Sequence, residues 1–328
     1  MSILIPDSQR RTLDEITDRL DLGVGDARAK RSAFWIMLVL SGVIAVSGVV
    51  ADSTATVIGA MIVAPLSTPI LGIGLGIVSG RGALILKSVG LVAAGIVLVT
   101  LLGVVIAQLL PNPVNVLSNS QVLGRTSPTL VDLLAALATG LAGAVAITRR
   151  DVGDVLPGVA IAISLVPPLG VVGVCLGSGA PSLALGAFIL FASNVIAMVI
   201  TGVAVMTIGG YNREALEDAP PSRRRDTRAY LILAIALVVV AIPMVLNSLS
   251  SLWSRQIADA TTSWLAAGGA QDAEVTSVGW SGDKVTINIL GPEKLPPIAN
   301  LQSAVDDLVP WDPQVIVVHT VGGRQTSG

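Results

Sequence analysis

A single cysteine, Cys175, lies inside an apolar run, so no disulfide can form within this chain. There is one histidine, His319, which alternates with apolar residues in a strand-like run and has no second histidine or cysteine beside it. That pattern reads as a structural residue rather than a metal ligand, because zinc sites need several such groups together. No nucleophile stands with a base, and no phosphate-binding loop follows a strand; the GIGLG run at 72–76 is embedded in an apolar stretch. These gaps exclude the common catalytic constellations. The expectation is a protein that is not an enzyme, with no cofactor, no metal and no nucleic-acid partner.

Charge is the scarcest commodity. Only 13% of the 328 residues are charged, 52% are hydrophobic, and the mean hydropathy is +0.80. Between Ala33 and Gly210 there are nine charged residues: Asp52, Arg81, Lys87, Arg125, Asp132, Arg149, Arg150, Asp151 and Asp154. The gaps between them accommodate helices of about 20 apolar residues, enough to cross a bilayer. The fold class expected is an α-helical polytopic membrane protein with seven transmembrane helices. They fall near 33–51, 56–78, 83–110, 128–148, 155–177, 182–208 and 229–249. The N-terminal stretch has no contiguous apolar core, so it does not read as a signal peptide.

Lysine and arginine orient the spans. With the N-terminus in the cytoplasm, the inner segments hold Arg10, Arg11, Arg19, Arg28, Lys30 and Arg31, then Arg81, Lys87, Arg149 and Arg150, then Arg213, Arg223, Arg224, Arg225 and Arg228. The outer loops before the last span hold only Arg125. Phe34, Trp35, Tyr211 and Tyr230 fall at the inner headgroup level and Trp253 at the outer one. The expected location is the plasma or inner membrane, multi-pass, with a cytoplasmic N-terminus and an extracytoplasmic C-terminal domain. Three regions follow: 1–32, a cytoplasmic segment with a short amphipathic helix from Leu13, Ile16 and Leu20; 33–249, the membrane domain; and 250–328. The SRRRD run at 222–226 reads as a topology anchor that also suits acidic headgroups.

Residues 250–328 change character, with eight acids and four bases. Their pattern predicts a helix near 253–267, a strand near 273–280, a turn at 281–284, an alternating strand at 285–289, a helix near 297–309 and a strand at 315–321. The order α-β-β-α-β suits a small α/β domain in two layers. In element order alone it resembles BON-type modules of bacterial envelope proteins.

The chain also matches itself when shifted by 99 residues. Asp52 falls on Asp151, Gly59 on Gly158, Ile62 on Ile161, Leu66 on Leu165, Pro69 on Pro168 and Gly74 on Gly173. Ser79-Gly80, Leu84 and Leu86 meet Ser178-Gly179, Leu183 and Leu185, so ten of the 35 positions from 52 to 86 are identical without a gap. A unit of three spans is odd, so two copies must cross in opposite senses. This predicts a 3+3 inverted-topology repeat, about 33–110 against 128–208, with the helix at 229–249 outside it. Matched helix breakers in such repeats point to a central site. Proline removes a backbone donor, and freed backbone groups persist in hydrocarbon only where protein or water receives them. The expected pathway residues are Pro65, Ser67, Thr68 and Pro69 in the first copy, Ser164, Pro167 and Pro168 in the second, and Ser193 and Asn194 in the following span. Asp52, Ser53, Asp151 and Asp154 are expected as helix caps or gates. The small-residue runs at 72–76 and 140–144 are packing surfaces.

Two strings carry a wider resemblance. Asp52-Ser53, Ile58-Gly59-Ala60-Met61, Ala64-Pro65-Leu66 and Pro69-Ile70 form the first; Pro157-Gly158-Val159-Ala160-Ile161-Ala162 with Leu165-Val166-Pro167-Pro168-Leu169 form the second. Together with Gly186-Ala187, Phe191 and Asn194 they resemble the DUF389 family over about 50–210. Ser67 departs from the methionine usual there, and about thirty residues stand where many members carry a larger N-terminal region. That family consists of bacterial and archaeal membrane proteins without an assigned function, so the resemblance implies the architecture and no substrate. The expected function is transport or channelling of a small ion or polar solute by a homo-oligomer in the lipid bilayer. The alternative is a non-transporting scaffold or sensor whose outer domain binds a partner.

Overall fold

The computed structural model describes residues 5–109, 115–152, 165–217, 227–292 and 294–322. Two compact units divide the chain, Met1–Met244 and Val245–Gly328. The first is helical: α1 (Leu13–Leu20), α2 (Ala27–Val50), α3 (Thr54–Val63), α4 (Ser67–Val78), α5 (Gly82–Leu109), α6 (Ser120–Thr126), α7 (Leu130–Thr148), α8 (Val166–Gly177), α9 (Pro181–Ile208), α10 (Tyr211–Glu217) and the start of α11 (Thr227–Ala267). Five of these helices are long and apolar enough to cross a membrane; counting the bent pair α3–α4 as one span makes six. The chain is a membrane-embedded protein. The expected count of seven spans is not reproduced among the described residues. The span expected at 56–78 is two helices inclined at 47°. Of the span expected at 155–177, only α8 lies within the described residues, and residues 153–164 lie outside them.

Local chemistry accounts for the helix ends. Asp26 caps α2 by accepting from Ala29 N–H at 3.1 Å. A turn of three residues joins α4 to α5, and another joins α8 to α9. Gly80 and Gly179 lie at φ +63° and +73° in those turns, a conformation that side chains resist. The shift of 99 residues carries α4 onto α8 and α5 onto α9 with the same bounds at both ends.

Close helix crossings rest on glycine. Gly72 lies against Ser88 and Gly76 against Ile85, so α4 and α5 run antiparallel. Gly173 lies against Thr100 and Gly103, and Gly177 against Val104 and Ala107, so α5 and α8 run parallel. A Cβ on Gly103 would come within 2.7 Å of the Gly173 Cα. With no hydrophobic drive between helices in lipid, such backbone approach is what brings them together. On the other side of the bundle α4 packs against α9, where Gly74 faces Val199 and Val203 and Gly202 faces Leu71.

The amphipathic N-terminal helix is α1, and it packs against α4. Thr12 and Glu15 form a capping box: Glu15 N–H donates to the Thr12 hydroxyl, and Thr12 N–H donates to Glu15 Oε2 at 2.7 Å. Leu13, Ile16 and Leu20 are buried in the same apolar cluster as Ile70 and Leu75. A polar clamp holds the segment in place. Arg11 N–H donates to Thr148 O and Arg150 N–H to Gln9 O, both at 2.9 Å. Arg10 pairs with Glu214 at 2.5 Å and stacks 4.0 Å over the Tyr211 ring, whose hydroxyl donates to Arg11 O. Arg150 donates to Glu15 Oε2 at 2.8 Å. That bond and the Thr12 N–H hold the Glu15 carboxyl down at about 2.

The C-terminal unit has the expected element order, with one change. The helices expected at 229–249 and 253–267 are a single helix, α11, since no glycine or proline stands between Leu249 and Trp253. β1 (Glu274–Ser281) pairs antiparallel with β2 (Lys284–Gly291), and β2 pairs parallel with β3 (Gln314–Val321). Gly282, at φ +63°, makes the hairpin turn. Val285, Ile287 and Ile289 point to one face and are buried with Ile257 and Leu265 of α11 and with Leu301 and Val305 of α12 (Ile298–Asp306). His319 stands opposite Ile289 in β3.

Two outcomes test this packing. Gly173→Ala inserts a methyl between α5 and α8 and is expected to lower the Tm, since overpacking costs about 1–3 kcal/mol. Gly90→Ala, with nothing within 4 Å, should leave the Tm unchanged or raise it; equal effects in thermal unfolding of the purified protein would contradict the tight crossing. The Glu15 pair should act through pH with a defined sign. Its carboxyl is depressed from 4.5 to about 2, so its stabilisation is full above 4.5 and is lost as pH falls toward 2. The Tm gap between wild type and Glu15→Gln should therefore be constant from neutral pH to about pH 5 and close below it.

Candidate functional site

The first break begins where α3 ends at Val63. Ala64 is extended, at φ −65° and ψ 122°, and Pro65 follows. Pro65 has no N–H to return to the carbonyl of Met61. Pro69 likewise withholds a donor from the Pro65 carbonyl, which takes the N–H of Thr68 at 3.3 Å instead. One turn earlier the Ser41 hydroxyl, buried on α2, donates to Ala60 O at 2.9 Å. A buried hydroxyl thus serves a backbone carbonyl in the last turn before the break. Ser67 and Thr68 open α4 and are half-buried, and their hydroxyls find no hydrogen-bond partner among the described residues.

In the second copy, Ser164 and Asp154 lie outside the described residues. Pro167 and Pro168 are buried in the first turn of α8. Proline is tolerated there because first-turn donors have no intrahelical partner. Within the described residues these two prolines stand at the start of a helix. Pro69 and Pro168 each occupy the third residue of their half-helix. Pro69 is buried, and Pro65 is half-buried.

The fold brings the two starts together. Leu66 and Ile70 of the first copy and Leu165, Val166 and Leu169 of the second share one buried cluster with Leu38, Val99 and Phe191. A Cβ on Gly95 would lie 3.0 Å from Leu66 Cδ2, so the absence of a side chain on α5 makes room for that leucine. The shift of 99 pairs Gly95 with Asn194, which is buried on α9. Ser193 beside it donates its hydroxyl to Leu190 O at 2.7 Å, on its own helix. What the arrangement offers is a layer of leucine, valine and isoleucine between two half-helix starts, with the Ser67 and Thr68 hydroxyls at its edge.

The acids at the helix turns are divided in their tasks. Ser53, not Asp52, caps α3, accepting from Thr56 N–H at 3.4 Å. Asp52 sits at φ +50° and accepts from the Ser120 hydroxyl at 2.7 Å and from Gln121 N–H at 3.1 Å. It ties the α2–α3 turn to the start of α6, and the Ser120 hydroxyl holds its carboxyl below the usual range. Asp151 accepts two bonds from Arg149, at 2.9 and 2.6 Å, and that contact depresses its carboxyl too. Ser41 and the α1 clamp had no place among the residues expected to matter. A serine in an apolar run gives no pattern, whereas Thr12-x-x-Glu15 was readable as a capping box.

Comparison with known proteins adds one relative and one family. Over 207 residues the chain is 31% identical to an uncharacterized protein of Methanocaldococcus jannaschii, covering 62% of this chain and 61% of that relative's length. No solved structure matches the chain. Residues 61–200 match the model of the DUF389 family, described as a domain of unknown function, and most of the two proline strings falls inside that match.

Proposed function

We propose that this protein is a non-enzymatic passage for a small ion or polar solute, built from an inverted repeat whose two broken spans meet in the membrane. The observation that carries the reading is the pairing of halves across the repeat. α5 packs on α8 as α9 packs on α4, so each half-helix lies against the long helix of the other copy. The antiparallel α4–α5 contact, the parallel α5–α8 contact and the short α8–α9 turn make α5 and α9 run in opposite directions. Opposed copies with helix starts at their interface are the arrangement in which transporters build a central site. The Ser67 and Thr68 hydroxyls and the Met61 carbonyl beside Pro65 supply the polar groups. The apolar layer of Leu66, Ile70, Leu165 and Leu169 makes this arrangement a closed one.

Arg10, Arg11, Arg81, Arg149 and Arg150 gather at the α1 end of the bundle, and Arg125 stands on α6. By the positive-inside rule the α1 end faces the cytoplasm. The same packed layer also favours a second reading, an oligomeric scaffold or sensor that moves no solute.

Two measurements separate these readings. In a Cys175→Ala background, Ala83→Cys and Ser182→Cys sit at equivalent, exposed places in the two copies. A membrane-impermeant maleimide should label them from opposite sides; labelling from one side would end the inverted repeat. In liposomes, Pro69→Ala and Pro168→Ala should reduce ion or solute flux while leaving Tm within a few degrees. Full flux in both would remove the breaks from the pathway, and no flux from wild type across a panel of ions and small solutes would favour the scaffold.

A further inference from the structure

Helix α11 lies loosely on the bundle. It is buried around Val240 and Met244, which pack with Leu133 and Ala136 of α7 and Ala197 of α9. Toward its N-terminal end α9 and α11 part and leave a cleft of about 490 Å³. Ile200, Ala204 and Thr207 form one wall, and Tyr230, Ala234 and Leu237 the other. Its only polar side-chain groups are the Thr207 hydroxyl and the Tyr230 phenol; Thr207 Oγ1 finds no partner among the described residues.

We propose that this cleft binds one acyl chain of an anionic glycerophospholipid. Both walls belong to helices long and apolar enough to span the membrane, so hydrocarbon is the medium at its mouth. Size argues against a helix from a second copy: a cylinder about 10 Å across displaces roughly 800 Å³ over only two turns, more than the cleft holds. Charge selects the headgroup. Arg228 stands two residues before Tyr230, and Arg213 stands on α10 just after the end of α9; both are exposed. Basic groups where a span meets the headgroups attract anionic lipid. The Thr207 hydroxyl and the Tyr230 phenol lie where the chain's ester end would enter and can donate to an ester carbonyl. The site does not depend on whether the protein transports anything.

The test uses the full chain, purified in detergent, stripped of lipid and mixed with phosphatidylglycerol or phosphatidylcholine. Native mass spectrometry then counts bound lipids. Wild type should retain one phosphatidylglycerol in preference to phosphatidylcholine. Ala204→Phe and Ala234→Phe, on facing walls, should each abolish that retention, while Leu86→Phe on the exposed face of α5 should not. Arg213→Gln and Arg228→Gln should each weaken the phosphatidylglycerol preference about fivefold, as loss of one cation near a headgroup implies. The proposal fails if both phenylalanine variants retain lipid like wild type, or if the two lipids bind equally. It also fails if the phenylalanines split a dimer and leave lipid binding intact, which would seat a second copy in the cleft. Either wall variant alone suffices should the other not fold.

Discussion

A backbone carbonyl freed inside a membrane has no water to turn to, and much of this molecule follows from that constraint. Pro65 deprives Met61 of its intrahelical donor. The chain can tolerate this only where protein or water receives the freed group. α2 offers the Ser41 hydroxyl to Ala60, one turn before the break. Gly95 withholds a side chain so that Leu66 can close over it. α8 brings Leu165 and Val166 to the same cluster. The bend is therefore a shared property of several helices, not a local defect of one.

The two segments that match at a shift of 99 residues pack differently. Where α8 carries Gly177 against Val104 and Ala107 of α5, the equivalent place on α4 holds Val78, and Leu71 of α4 lies against Gly202 of α9. Ala107 of α5 likewise corresponds to Met206 of α9. The α5–α8 crossing closes to backbone contact, whereas at Gly74 the nearest α9 backbone atom lies 3.5 Å from where a Cβ would sit. Larger side chains hold the second crossing wider. α1 lies on α4 with its apolar face buried, and the residues just before it are bonded to the turn after α7 and to α10. The half-helix that follows the first break is thus packed least tightly by its long partner and is covered instead by the N-terminal segment.

Much of this was legible in the sequence. Apolar runs between sparse charges located the long helices, because burial in lipid demands length and little else. Alternation at Val285, Ile287 and Ile289 located the buried strand face. Leu13, Ile16 and Leu20 located the amphipathic helix. The shift of 99 residues is reproduced by the bounds of α4, α5, α8 and α9, since breakers and turn glycines act within a few residues of where they stand. Gly103 and Gly202, also 99 apart, carried the same signal.

Other features belong to the assembled chain alone. Pro167 and Pro168 sit in the first turn of α8, where a missing donor costs little. Asp52 read as the cap of its own helix, yet Ser53 takes that place and Asp52 reaches to α6. Glu15 gave no sign that Arg150, 135 residues away, would hold its charge. Sequence by itself determined the medium and the turns that glycine and proline mark, because those depend on short-range sterics and on apolar content. Tertiary structure decided which half-helix meets which long helix and what receives the broken backbone, because a glycine crossing or a hydroxyl-to-carbonyl bond exists only once distant segments are in contact.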